Sequence, residues 1–309
     1  MRGFKVGLFI SLAEGSAGER WQHLKSMAQH AEAVGFDSIW IADHLLFPGS
    51  PEETAPGRWE CWSILAALAA VTSRVELGPL VVCTNFRNPA LLAKMADAVD
   101  EISGGRLILG LGAGWYEPEF QAFGYPFDHR MGRFEEALEI VHGLLRGRAM
   151  DFRGLYYQVR DVVLRPRGPR PGGPPILIGA RADRPRSLRL AAQFADYWNT
   201  TDAHTAEDVA PMRASVDNMC VKLGRDPTTL QRTAHLLVDL PGSANSPIPS
   251  WVRDYRSSHR LAARTPEELA GHLRAYAAVG ISHVQLWLEP NTIAGIDAFR
   301  PVLELLDRW

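Results

Sequence analysis

Cysteine is scarce in this chain. Cys61, Cys83 and Cys220 are the three in 309 residues, and no two of them form a CxxC pair. An odd count without that spacing argues against a disulfide framework and against a cysteine-based zinc site. Long apolar runs are missing as well. The one near the start, Val6 to Leu12, is a strand's length, far short of the roughly 20 residues of a membrane helix. Arg2 and Lys5 precede it as in a weak signal peptide, but Glu14 and Glu19 follow closely, so it reads as a first buried strand. Charge of one sign is also lacking. A formal net charge of −2 gives no electrostatic reason to expect nucleic acid or an anionic membrane as partner. The expectation is a soluble, cytoplasmic protein.

Three chemical signatures are absent. The turn after the first strand, "SLAEGSAGER", lacks the GxGxxG spacing of a dinucleotide fold. It also lacks the HxH of metal-dependent hydrolase barrels, and His23 and His30, a heptad apart on a predicted helix, belong to the outer shell. No metal constellation is found. There is no GxSxG elbow for Ser-His-Asp chemistry.

What the chain does have is alternation. Apolar strands are predicted at about Phe4–Ile10, Ser38–Ala42, Val75–Val82, Arg106–Leu111, "PPILIGA", "DYWNT", "RTAHLLVDL" and "HVQLWLE". Helices are predicted between them at about Glu19–Val34, Trp59–Val71, Pro89–Ile102, His129–Leu145, Pro185–Phe194 and Ala206–Leu223, with a last one at Ile296–Arg308. Gly35 suits a helix C-cap and Pro89 a first helical turn. "MDFRGLYYQV" reads as a hairpin outside the main sheet. Eight strands alternating with helices, with 46% hydrophobic residues to fill a core, predict one α/β domain over residues 1–309. It is a (β/α)8 TIM barrel with insertion loops at the C-terminal face of the strands. Residues 241–265, rich in Pro, Ser and Arg, read as an active-site lid or a surface loop.

Barrel active sites lie at the C-terminal strand ends. The second strand ends on Asp43-His44, an acid and an imidazole where an ordinary turn would do. Asp43 either serves the site or caps the turn, and His44 either handles a proton or packs beneath it. The third strand runs into "VVCTNFRNP" with Cys83. The fourth ends in "GLGAGWYEPEF", where Gly110, Gly112 and Gly114 either let a flat ring approach the backbone or relieve crowding at a barrel corner. "GARADRPRS" sets Arg181, Arg184, Arg186 and Arg189 at a strand-to-helix turn, an anion site in outline. Phe9, Trp40, Phe47, Trp59, Trp62, Trp198 and Trp287 would line an aromatic substrate pocket.

Several stretches line up with one family. "AEAVGFDSIWIADH", "LAALAAVTSRVELGPLVV", "RNPALLAKMADAVDEISGGRLILGLGAGW" and "FGYPFDHRMGRFEEALEIV" resemble the bacterial luciferase-like superfamily, in particular its oxidoreductases that use the deazaflavin coenzyme F420. The second half matches more loosely, through "PPILIGA", "LRLAAQFADYWN" and "GISHVQLWL". The resemblance implies a cofactor ring in the barrel mouth, backed by a bulge with a non-proline cis peptide, here Leu80-Val81, and with Cys83 beside it. It implies Asp43 and His44 as catalytic residues near the redox centre, and Asp43 as a cofactor contact too. Gly112, Ala113, Gly114 and Trp115 would flank the ring, and Gly179, Ala180 and Arg181 would hold the phosphate. The implied activity is hydride transfer between F420 and a small apolar or aromatic substrate. A reduced-FMN monooxygenase is the alternative, and a homodimer is implied for both. Some deazaflavin-dependent sugar-phosphate dehydrogenases carry a glutamate where this chain has Trp115, which argues against glucose 6-phosphate as substrate.

Overall fold

The computed structural model describes residues 2–13, 20–46, 57–200, 205–240 and 260–309. All eight predicted strands form. They are β1 (Lys5–Phe9), β2 (Ser38–Ile41), β3 (Glu76–Pro79) with β4 (Val82–Cys83), β5 (Leu109–Gly112), β8 (Ile176–Gly179), β9 (Tyr197–Thr200), β10 (Gln231–Asp239) and β12 (His283–Glu289). The predicted third strand is split into β3 and β4 at Leu80-Val81, whose peptide bond is cis, as the resemblance implies. The strands pair in parallel in the order β3-β2-β1-β12-β10-β9-β8-β5-β4. A parallel bridge between Leu77 and Leu107, with Leu77 N–H donating to Arg106 O at 2.9 Å, joins the two ends of that order. The result is the expected barrel. The hairpin β6 (Met150–Arg153) and β7 (Gln158–Val162) stands apart as an antiparallel pair.

The helices follow local signals. In α1 (Trp21–Val34), Gly35 closes the C-terminus at φ 111°. The N–H groups of Trp62 and Ser63 donate to the Glu60 carboxylate that caps α2 (Cys61–Val71). Asn88 and Pro89 open α3 (Pro89–Ser103). The short helix α4 (Glu117–Phe123) was not foreseen, because seven residues after Trp115 carry too little periodicity. Next come α5 (Arg130–Leu145), α6 (Pro185–Phe194) and α7 (Ala206–Lys222). Helix α8 (Pro266–Ala278), also unforeseen, precedes β12, and α9 (Ile293–Asp307) closes the described chain. Of the 241–265 segment, 241–259 lie outside the described residues, Arg256 and most of the lid expectation with them. Residues 260–262 form a short strand, β11, parallel to β10. Thr265 then caps α8, so the end of that segment is regular structure rather than loop.

Two apolar layers hold the barrel. Phe9, Trp40, Ile108 and Leu177 fill the interior, while a much larger shell packs between strands and helices. Beneath the interior layer is a polar floor. The Trp40 indole N–H donates to Ser38 Oγ at 2.7 Å, and Ser38 Oγ lies 2.7 Å from His283 Nε2. Asn199 Nδ2 donates to Thr233 Oγ1 and to Gln285 Oε1, both at 2.8 Å. Burial, with the Lys5 charge adding to it, pushes the His283 imidazole down to about 3. The ring is therefore neutral in the fold, while in the unfolded chain it gains a proton below about pH 6.5. The unfolded state binds more protons in that window, so stability is lost as pH falls from about 6.5 toward 3, by at most roughly 1.4 kcal/mol per pH unit. Urea midpoints at pH 7, 5.5 and 4.5 check this. His283→Gln should fall less steeply than the parent chain, and equal slopes would count against it.

Candidate active site

Strand β2 delivers two titratable residues into different surroundings. Asp43 is buried between donors: Arg87 Nη1 donates to Oδ2 at 2.6 Å and Arg87 Nη2 to Oδ1 at 2.9 Å. The Cys83 backbone N–H also donates to Oδ2, at 3.0 Å. Arg87 Nη2 extends the chain of contacts to Glu60 Oε1 at 2.8 Å. Burial raises the Asp43 carboxyl above its usual value against the pull of Arg87. On the guanidinium, burial is overridden by Asp43 and the shift is also upward. The bidentate geometry decides for an ionised pair, since two short N–H donors suit a carboxylate and not an acid. Asp43 thus ties β2 to β4 and α2. Its oxygens are engaged by Arg87 and the Cys83 N–H, so Asp43 holds the strand end on which His44 sits.

His44 meets Glu119 on α4. Nδ1 of His44 lies 3.0 Å from Glu119 Oε1, and Oε2 accepts from the Leu45 and Leu46 N–H groups at 2.9 and 3.3 Å. Glu119 is fully buried, at 1% exposure. Trp115 stands edge-on to the His44 ring, with centroids 5.7 Å apart, and is itself 56% exposed. Sequence reasoning missed Arg87 and Glu119, although "WYEPEF" and "NFRNP" were both read as strand ends. A buried acid directly after a proline has no periodic signature.

The glycines of "GLGAG" answer to packing. A Cβ on Gly110 would lie 2.1 Å from Pro79 O, one on Gly112 2.7 Å from Val81 Cγ2, and one on Gly114 2.5 Å from Cys83 Sγ. These glycines make room for the bulge at Leu80-Val81 and for Cys83, as the crowding reading expects. The loop is then pinned by its carbonyls. Thr84 Oγ1 donates to Gly112 O at 3.2 Å, Asn85 Nδ2 to Ala113 O at 2.9 Å, and Arg130 Nη1 to Gly114 O at 2.7 Å. Cys83 is buried, and burial, then the Asp43 and Glu119 charges, push its thiol up, so it stays a neutral thiol. Leu80 and Val81 remain partly exposed at the end of the interior layer, against Phe9 and Trp40.

At the end of β8, Gly179 is exposed and a Cβ there would meet nothing within 4 Å. Ala180 is buried, its N–H on Asn199 O. The arginines beyond it are partly spent. Arg181 Nε donates to Asp183 at 3.0 Å, Arg184 lies 3.6 Å from the same acid, and Arg186 and Arg189 both reach Glu135. Among the described residues, Asp183 and Glu135 thus engage all four arginines.

The aromatic set divides. Trp287 stacks on Phe9 with centroids 4.8 Å apart, inside the barrel, and Trp59 is 51% exposed. Trp198 is fully buried with its indole N–H on Ala180 O at 2.8 Å, and Trp62 is buried in the shell. Trp40 sits in the closed interior. These three pack the core and are corrected as pocket residues; Phe47 lies outside the described residues. Among the described residues no cluster of His, Cys, Asp and Glu could hold a metal ion, and no helix is long and apolar enough to cross a membrane.

The parallel barrel thus carries a histidine–glutamate pair, a cis-peptide bulge and a pinned glycine loop at one end of its strands. The model of the luciferase-like monooxygenase family matches residues 4–240, and the chain belongs to that family. It is 31% identical over 216 residues to a 5,10-methylenetetrahydromethanopterin reductase of Archaeoglobus fulgidus, covering 70% of this chain and 60% of that protein. It is 32% identical over 224 residues to an F420-dependent hydroxymycolic acid dehydrogenase of Mycobacterium tuberculosis, covering 70% and 59%. It is 30% identical over 232 residues to a pyrimidine monooxygenase RutA of Bradyrhizobium, covering 71% and 62%. The chain thus spans about 60% of the length of these curated relatives. The solved structure of an F420-dependent secondary alcohol dehydrogenase in complex with an F420-acetone adduct superposes with a TM-score of 0.82 at 21% identity, covering 99% of both chains. That likeness speaks for the fold alone. Both F420-dependent enzymes and a monooxygenase therefore stand among the proteins it resembles.

Proposed function

We propose that this protein is an F420-dependent oxidoreductase that moves hydride between the deazaflavin and a small, largely apolar organic molecule. The observation that carries the reading is His44 held by a buried carboxylate next to the cis-peptide bulge at the barrel's strand ends. A proton-handling group belongs there because loss or gain of hydride at carbon is matched by a proton at a neighbouring heteroatom. The F420-dependent relatives favour the deazaflavin.

The residues on hand suit such a group. Leu80 and Val81 offer an apolar, partly exposed backing for a flat ring, Trp115 an exposed aromatic edge, and Gly179 an open approach to backbone beside the arginines of the following turn. Bound deazaflavin would supply the hydride acceptor or donor. His44 would hold or release the proton, Trp115 would exclude water from one side, and Arg181 with Arg184 would draw an anionic tail. A homodimer in the cytoplasm is the setting we propose for it.

The same site would serve a reduced-FMN monooxygenase, and the RutA relative favours that second reading. Absorbance of the protein mixed with each cofactor, after removal of free ligand, separates the two. F420 should remain bound more tightly than FMN, and its affinity should fall more steeply with salt because its tail carries more charge. Tighter FMN binding with oxygen uptake on adding substrate would move the protein to the monooxygenase reading.

A further inference from the structure

The exposed Leu155 hairpin tip and the polar barrel floor stand outside that reading, and the clamp of Glu119 on His44 deepens it. Nothing shows what would cover the tip, and the floor is closed. The clamp carries an inference.

An imidazole has two neutral forms, and which nitrogen bears the proton follows from the hydrogen bond at the other. An ionised carboxylate only accepts. Glu119 Oε2 is occupied by the Leu45 and Leu46 N–H groups, so Oε1 is the oxygen that meets His44 Nδ1. Among the described residues, three charged or titratable groups bear on the pair. Arg58 comes from the strand-like segment opposite Ala13, and the Glu119 charge counters the lowering of its guanidinium by burial. Asp43, on the same strand end, is neutralised by Arg87, and the Cys83 thiol from β4 is kept protonated by burial first and by the Asp43 and Glu119 charges. Two backbone donors and one cation are partners for an anion.

We infer that Glu119 is a positioning residue that locks His44 as the Nδ1–H tautomer, so that Nε2 is the atom that takes up the substrate's proton. This rests on the oxidoreductase reading. As the substrate carbon loses hydride, with both electrons of the C–H bond, to oxidised deazaflavin, the proton on its heteroatom passes to Nε2 and a C=O or C=N bond forms. In the reverse direction the imidazolium returns that proton.

Long-range proton–nitrogen NMR spectra of the full chain, without cofactor, report the tautomer directly. His44→Gln identifies the His44 signal among the ten histidines. Wild-type His44 should be protonated at Nδ1 and bare at Nε2. In Glu119→Gln the amide oxygen takes the two backbone N–H groups and the amide NH2 faces Nδ1, so His44 should switch to the Nε2–H form. Single-turnover hydride transfer in that variant should fall on the order of 10²-fold, toward the lower end of a general acid–base contribution. F420 affinity should change less than about twofold. A merely structural Glu119 would leave the tautomer in place. An Nε2–H tautomer in the wild-type protein overturns the inference without any variant. An Nδ1–H tautomer in a protein that binds FMN rather than F420 keeps the lock and sinks the deazaflavin reading.

Discussion

Replacing Arg87 with methionine is expected to lower the unfolding free energy by about 3–5 kcal/mol, the range for breaking a buried ion pair from one side. The reason lies in what stays behind. The Asp43 side chain is 1% exposed and that of Arg87 11%, so neither charge has water to fall back on. Without the guanidinium, Asp43 keeps one donor, the Cys83 N–H. Glu60 keeps its two cap hydrogen bonds to Trp62 and Ser63, so α2 is not undone by the same change. The double variant Arg87→Met/Asp43→Leu should recover most of the loss, because two apolar side chains carry no desolvation penalty. Urea unfolding of the three proteins measures this. A single-variant loss below about 1 kcal/mol would mean that water reaches Asp43 and that the pair resembles an exposed one.

This pair also marks the boundary of what can be read from the chain alone. The eight strands were legible because each is an apolar run bounded by turn residues, and the cis bulge was legible through the match of "LGPLVV" to family members. Element order and strand ends then put His44, Trp115 and Gly179 at one end of the barrel. What sequence could not supply is pairing across distance. Asp43 and Arg87 are 44 positions apart, and His44 and Glu119 are 75 apart. Nothing in periodicity says which acid meets which base. The same limit misled the reading of the tryptophans. Trp198 follows a strand residue that points into the barrel, so alternation turns it outward into the shell. Reading its position near a strand end without its parity made it a pocket residue. "GARADRPRS" was over-read for a related reason: Glu135, which engages two of its arginines, sits about fifty positions earlier, on α5.

His44→Ala should slow hydride transfer by about 10²–10⁴-fold, the span of one general acid–base group, with cofactor affinity changed less than about threefold. At 1.36 kcal/mol per decade that loss is roughly 3–5 kcal/mol of transition-state stabilisation. Affinity should hold because the contacts proposed for the ring and the tail lie elsewhere, on Leu80, Val81 and Gly179. Folding should hold as well. The Glu119 carboxylate keeps the Leu45 and Leu46 N–H groups, so truncating the imidazole does not strand a buried charge. What is removed is a titratable ring at a strand end and its edge contact with Trp115. Single-turnover kinetics with cofactor in excess isolate the chemical step from release, and a parallel titration reports affinity. A rate constant equal to that of the parent enzyme would leave His44 as packing beneath Trp115. A loss confined to affinity would put the imidazole on the cofactor's tail rather than at its redox atom.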